Sequence, residues 1–303
     1  MNLLVVGSVG FDTVETPFGK AEEVLGGSAT YFSTAASYFT DVRLIAVVGE
    51  DFPEKYINLF KSRRIDVKGL MRAKGKTFRW SGRYGYELNE AYTIETQLNV
   101  FEDFKPTIPT DYRDSEIIFL ANIDPELQLN VLHQMKGPKL IACDTMNFWI
   151  EGKTEALKKT LKEVDILLIN DGEARELARE PNLFKAAQII LSFGPKTLII
   201  KRGEYGALMV NGNSMFSAPA YPLETVFDPT GAGDSFAGGF LGYLANTNNF
   251  SESSMRQAII FGSVMASYNV EDFSLNRIKS LDYKEIEERF REFKRLTFFE
   301  DIE

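Results

Sequence analysis

The run Asp228-Pro229-Thr230-Gly231-Ala232-Gly233-Asp234-Ser235-Phe236 combines an anion cradle with a carboxylate in one turn. A proline and small residues occupy the turn, and the stretch Phe236–Leu244 that follows reads as a helix. N–H groups in the first turn of a helix lack intrahelical acceptors and carry the positive end of its dipole. Gly231, Ala232 and Gly233 have almost no side chain, so an anion can approach those groups closely. Asp234 stands where its carboxylate can take a proton from a hydroxyl that reacts with the anion. The chemistry implied is phosphoryl transfer. The plainer alternative is a helix start that Asp234 merely caps.

Such groups must be held by a rigid frame. The N-terminal half alternates short β-rich runs with helix-like stretches, which predicts a parallel sheet flanked by helices. The predicted strands are Leu3–Gly7, Arg43–Val48, Glu116–Ala121, Leu140–Asp144, Ile166–Asn170 and Thr197–Lys201. Most are nearly continuous Val, Ile and Leu, as expected of strands buried on both faces. Asn122, Asp144, Asn170 and Lys201 stand at or just beyond C-terminal ends, where open α/β sheets bind ligands. They therefore share one rim. Tyr205–Val210, a turn at Asn211-Gly212-Asn213 and Ser214–Ala218 read as a hairpin. Helices are predicted after Gly233, over Ser253–Tyr268 and over Tyr283–Phe293. Asp12–Leu25, with its Pro-Phe-Gly turn, and Thr77–Tyr86 continued by Ala91–Phe101 break the alternation. Both are strand-like and predict a small projecting sheet.

Composition sets the limits. The chain has 303 residues, 44% of them hydrophobic, which supplies a substantial core. Its single Cys143 excludes an internal disulfide framework and fits a reducing compartment. The start Met1–Gly7 has no basic n-region, and no apolar run reaches membrane-spanning length, so a cytoplasmic protein without membrane partners is expected. A net charge of −9 argues against nucleic acid as a partner. The lone His133 reads as an exposed helix residue, and one His with one Cys leaves no structural zinc site.

Asp-x-Thr-Gly-Ala-Gly-Asp-x-Phe resembles the C-terminal signature of the ribokinase-like (PfkB) carbohydrate kinases, and Asp228–Phe236 matches it throughout. The resemblance extends over nearly the whole chain. It implies a single ribokinase-like domain over 1–303: a three-layer α/β sandwich with a mostly parallel central sheet. A small β-sheet lid would be formed by about 12–25 and 76–101. It makes Asp234 the base and the amides of Gly231, Ala232 and Gly233 the anion hole, with ATP and Mg2+ as cofactors. Asn170-Asp171-Gly172-Glu173 matches the family's Asn-x-x-Glu motif, which places Asn170 and Glu173 at the phosphates and at magnesium, partly through water. A helix capping box explains the same residues.

Lys201, Gly203 and Gly206 resemble the nucleotide-binding turn, and Gly262 and Ala266 one wall of the adenine pocket. A plain turn and helix packing are the respective alternatives. Asp228 and Thr230 occupy positions that bind a monovalent cation in some members, which leaves potassium open. On the substrate side the resemblance implies Asp12 as reader of a vicinal diol and Gly26-Gly27 as a close backbone approach. The lid's Trp80 and Arg83 complete the expected substrate set. Tyr31 stands where the family usually has an Asn that touches sugar hydroxyls. This departure leads to a narrowed pocket or to stacking on a substrate ring.

A small sugar phosphorylated on a hydroxymethyl group is the default reading. A nucleoside is the alternative, because Tyr31, Phe78, Trp80, Tyr84 and Tyr86 offer stacking surfaces. Those aromatics also suit a mini-core within the lid. A binding protein on a kinase scaffold would show a damaged motif, and none is damaged. The hydroxymethyl-pyridine and -pyrimidine kinases of the same superfamily generally lack the lid insertions. Family lids sometimes pair edge to edge, which leaves a homodimer open.

Overall fold

The computed structural model describes residues 1–212 and 214–300. Its strands are β1 (Leu3–Val6), β2 (Gly10–Thr16), β3 (Gly19–Gly26), β4 (Val42–Val48), β5 (Ile65–Arg72), β6 (Phe78–Tyr84) and β7 (Ala91–Gln97). They continue as β8 (Ile117–Leu120), β9 (Leu140–Asp144), β10 (Ile166–Asn170), β11 (Thr197–Lys201), β12 (Ala207–Asn211) and β13 (Ser214–Ala218). The helices are α1 (Ser28–Ala36), α2 (Glu54–Ser62), α3 (Pro125–His133), α4 (Asn147–Gly152) and α5 (Thr154–Leu161). After these come α6 (Asp171–Ala178), α7 (Leu183–Leu191), α8 (Ala232–Thr247), α9 (Glu252–Asn269) and α10 (Tyr283–Thr297).

The large sheet runs β13-β12-β11-β10-β9-β8-β1-β4-β5. It is parallel from β11 to β5, while β12 and β13 add antiparallel at one edge. Alternation along each strand feeds two cores, as β1 shows: Leu3 and Val5 face one layer, Leu4 and Val6 the other. Apolar residues of α1, α8, α9 and α10 complete the first core, and those of α3 to α7 the second. This is the expected three-layer α/β sandwich.

A second sheet, β3-β2-β6-β7, pairs β2 with β6 in parallel and the outer strands antiparallel. It comes from the two stretches that break the sequence alternation. Arg79 ties it to the loop that follows β4 through Asp51, at 2.9 Å.

The six predicted strands form within a residue of their expected limits. Strand β5 was not expected. Its buried and exposed residues alternate around Lys68 and Gly69, as suits an edge strand, and the apolar run is thereby hidden. The β12–β13 hairpin forms, with Asn213 of its turn outside the described residues. His133 is exposed at the end of α3, and no helix of the described residues is long and apolar enough to cross a membrane.

Candidate active site

Helix α8 begins at Gly231, which has φ +76° and lies against the Tyr31 ring, so a Cβ there would meet both backbone strain and a collision. The N–H of Ala232 donates to Pro229 O at 3.1 Å and that of Ser235 to Gly231 O at 2.8 Å. Among the described residues the N–H groups of Gly231, Gly233 and Asp234 have no protein acceptor. Of the three amides expected in the cradle, that of Ala232 instead closes the turn, and that of Asp234 is free beside those of Gly231 and Gly233.

Lys201 arrives from β11 and places its Nζ beside Gly233 and 2.9 Å from Asp144 Oδ2, at the end of β9. Burial would lower its pKa, but the carboxylates of Asp144, Glu173 and Asp234 outweigh that and hold it up. Asp234 is half-buried, and burial together with the Asp144 carboxylate raises its pKa to about 7 against the pull of Lys201. Burial and Asp144 raise Glu173 in the same way. Asp144 was visible in the sequence only as a polar strand end. Its role appears when Lys201 is brought to it from two strands away.

At the start of α6 the capping box is fully formed. Glu173 Oε2 accepts the Asn170 N–H at 2.7 Å, and Asn170 Oδ1 accepts the Glu173 N–H at 2.8 Å. This does not exhaust Glu173, whose second carboxylate oxygen is left. Among the described residues no three acidic, His or Cys side chains converge on a point. The set still fits magnesium, which keeps several waters and needs only one or two carboxylates. The charges of Asp144, Glu173 and Asp234 are all felt by the single Lys201 ammonium, and a divalent cation would offset them.

The substrate side is built from β2, β3 and α1. Asp12 is 3% exposed and fills the space that a Cβ on Gly26 would need. Gly27 adopts φ +95° against the Ser8 backbone. Burial, with Asp228 nearby, raises Asp12 to about 7, and the Asp12 charge in turn reaches Asp234. Tyr31 is 1% exposed, and its hydroxyl donates to Asp12 Oδ2 at 3.4 Å. Stacking of Tyr31 on a substrate ring is therefore replaced by a different role: it supports Asp12 from one end and Gly231 from the other.

On β6, Trp80 is in register with Asp12, and its indole lies over Gly82 with Nε1 donating to Thr93 Oγ1 at 3.2 Å. Trp80 has no aromatic partner among the described residues, whereas Phe78 packs on Phe101 and Phe101 on Phe104. The mini-core thus takes Phe78 and leaves Trp80. Tyr84 accepts the Thr230 hydroxyl at 3.3 Å and so touches the α8 turn. Arg83 is exposed and in register with Glu15, on the face opposite Asp12 and Trp80, because successive strand residues alternate. The Arg83 side chain, expected on the substrate side, therefore stands on the face of the small sheet away from Asp12.

The remaining expected residues are held mainly by packing. Gly203 lies under Asn89 of the β6–β7 loop, and Gly206, at φ +83°, is set against the Ala218 carbonyl. Gly262 is buried where α9 crosses α8, with its Cβ position 2.8 Å from Phe236 O; Ala266 is half-buried one turn further on. Asn122 stays on the rim but accepts the Trp149 indole N–H at 3.0 Å.

Comparison with known proteins agrees with this fold. The model of the pfkB family carbohydrate kinases matches residues 4–280, and the chain belongs to that family of phosphotransferases. A cytidine kinase of Thermococcus kodakarensis is 31% identical over 247 residues, which span 80% of this chain and 87% of that protein. Among solved structures, a nucleoside kinase of Methanocaldococcus jannaschii superposes with TM-score 0.75 at 19% identity, covering 96% of this chain and 98% of its own. A protein of E. coli described as Ribokinase II, solved with ATP and Mg2+, gives TM-score 0.78 at 18% identity over 96% and 99% of the two chains.

Proposed function

We propose that the protein transfers the γ-phosphoryl group of ATP to the primary hydroxyl of a ribonucleoside. The observation that carries this is the in-register pair of Asp12 and Trp80 on β2 and β6. A carboxylate can accept both hydroxyls of a vicinal diol, and a free indole face can receive a flat base. Diol and base are adjacent in a nucleoside, as the Asp12 and Trp80 positions are across β2 and β6. With the diol on Asp12, the hydroxymethyl group at the far side of the furanose is the one free to reach Asp234. A free sugar, the default that the resemblance implies, has no group to use Trp80. The T. kodakarensis relative is named for cytidine, which supports the same reading.

In this mechanism Asp234 orients the hydroxyl and takes its proton as the oxygen attacks in line. The free N–H groups of Gly231, Gly233 and Asp234 hold the oxygens of the transferred group, where charge gathers. Lys201 holds the phosphates from the side of β11 and favours the ionised form of Asp234 against burial and Asp144. Glu173, with Asp144, would hold Mg2+, which would supply positive charge to offset that of the phosphate oxygens. The single domain and the lid role of the small sheet are part of this proposal. A homodimer and the adenine-wall role of Gly262 are not.

Initial rates with ATP and Mg2+ against cytidine, other ribonucleosides, ribose and fructose test the proposal. Base stacking is worth about 1–3 kcal/mol, so the best nucleoside should exceed ribose in kcat/KM by roughly 5- to 150-fold. Equal or faster turnover of a free sugar would overturn it.

A further inference from the structure

The turn that the resemblance offers to a potassium ion has each of its oxygens engaged by one protein donor. Asp228 Oδ1 accepts the Thr230 N–H at 2.9 Å, and Oδ2 accepts the Ser274 N–H at 3.2 Å. The Thr230 carbonyl accepts Asn269 Nδ2 at 2.7 Å, and the Ser235 hydroxyl donates to Asn269 Oδ1 at 3.0 Å. A carbonyl can only accept and a hydroxyl can do either, so this arrangement fixes which end of the amide faces Thr230. Asn269 is the last residue of α9 and 1% exposed. A monovalent cation needs oxygens with free lone pairs. Here the Asn269 Nδ2 donor is aimed at that carbonyl, and each Asp228 oxygen already gives one lone pair to a backbone hydrogen. A donor amide at this carbonyl competes with a potassium ion for the same place.

We propose that Asn269 takes the place of an activating monovalent cation. Its amide bridges Thr230, which precedes Gly231, and Ser235, which follows Asp234. It therefore clamps both ends of the segment that carries the anion-binding N–H groups and the base. Burial with both amide ends satisfied makes the clamp stiff. Asn269 is buried against the turn and acts through Thr230 and Ser235, so it is a positioning residue, and phosphoryl transfer on this turn is independent of potassium. The inference rests on the proposed roles of Gly231–Asp234 but not on the choice of a nucleoside as substrate.

The test exchanges KCl for tetramethylammonium chloride at constant ionic strength and follows both turnover of the best acceptor and the melting temperature. For the wild-type protein the rate should stay within about twofold and the melting temperature should not move, because a coupled site would convey roughly fivefold or more. Potassium activation above that level, or a potassium-specific rise in melting temperature, would overturn the inference. Asn269→Ala should lower kcat by about 10²-fold with the KM for acceptor little changed, as expected of misplacement by an ångström or so. Asn269→Asp keeps the shape but presents oxygen to the Thr230 carbonyl. It should lose activity in tetramethylammonium and regain part of it, with a higher melting temperature, in potassium. Full kcat in both variants would contradict the positioning role. If neither variant folds, the wild-type exchange decides alone. A protein that phosphorylates no nucleoside, yet whose melting temperature ignores potassium, would refute the substrate reading and leave this inference standing.

Discussion

Lys201 Nζ stands 2.9 Å from Asp144 Oδ2, and these two side chains leave strands separated by β10. The carboxylates of Asp144, Glu173 and Asp234 together hold the Lys201 ammonium in its charged form. Removing it from a nearly buried pair leaves carboxylates without compensation, a loss of about 3–5 kcal/mol in comparable cases. Lys201→Met should therefore lower the melting temperature and kcat. It should also move the acid limb of the kcat/KM profile to higher pH, because Lys201 holds the Asp234 pKa down. A limb that stays in place would show that Asp234 does not feel this charge.

The raised carboxylates predict opposite trends for activity and stability. Asp12 and Asp234 ionise near pH 7 in the folded chain, against 3.8 as their ordinary value. A base must be ionised, so kcat/KM should rise as pH increases through about 7. Folding favours the protonated forms of these groups. Their stabilising contribution is fully present below 3.8 and is lost as pH rises through about 7. Thermal melts of the ligand-free protein should show this loss, and Asp12→Asn and Asp234→Asn should each flatten it. A melting temperature that rises over the same interval in the wild type would contradict the assignment.

Trp80 should discriminate between substrates. Trp80→Ala removes a stacking surface worth about 1–3 kcal/mol and should raise the KM for a nucleoside by roughly 5- to 150-fold. Any residual rate with ribose should hardly change. Equal losses with both acceptors would assign Trp80 to the packing of the small sheet.

Gly231→Ala meets two obstacles, the left-handed backbone and the Tyr31 ring. Strain of this kind costs about 1–3 kcal/mol, and relief by movement of the turn would misalign the free N–H groups. Calorimetry should show a lower melting temperature, and kinetics a lower kcat. Gly231→Ala in a Tyr31→Phe background should behave no better, because the ring rather than the hydroxyl lies against Gly231.

Much of the site was legible because its parts stand at strand ends and in one contiguous turn. Continuous apolar runs marked β8, β9, β10 and β11, and polar residues at their C-terminal ends marked the rim. The facing of the small sheet was also present in the sequence: a two-residue period puts Trp80 with Tyr84 and sets Arg83 opposite. What could not be read depends on contacts between distant segments. Asn269 looks like an ordinary helix end until α9 brings it to Thr230 and Ser235, 39 and 34 residues earlier. Tyr31 looked like a surface for the substrate until its burial turned it inward to Asp12. Strand β5 was hidden because an edge strand needs little apolar sequence.

The most direct test of the whole account is the turnover of Asp234→Asn with ATP, Mg2+ and the best acceptor, measured beside its affinity for the nucleotide. The substitution keeps the shape and removes the base. The account predicts a fall in kcat of about 10²–10⁴-fold with nucleotide binding essentially unchanged. Turnover at the wild-type rate would contradict it.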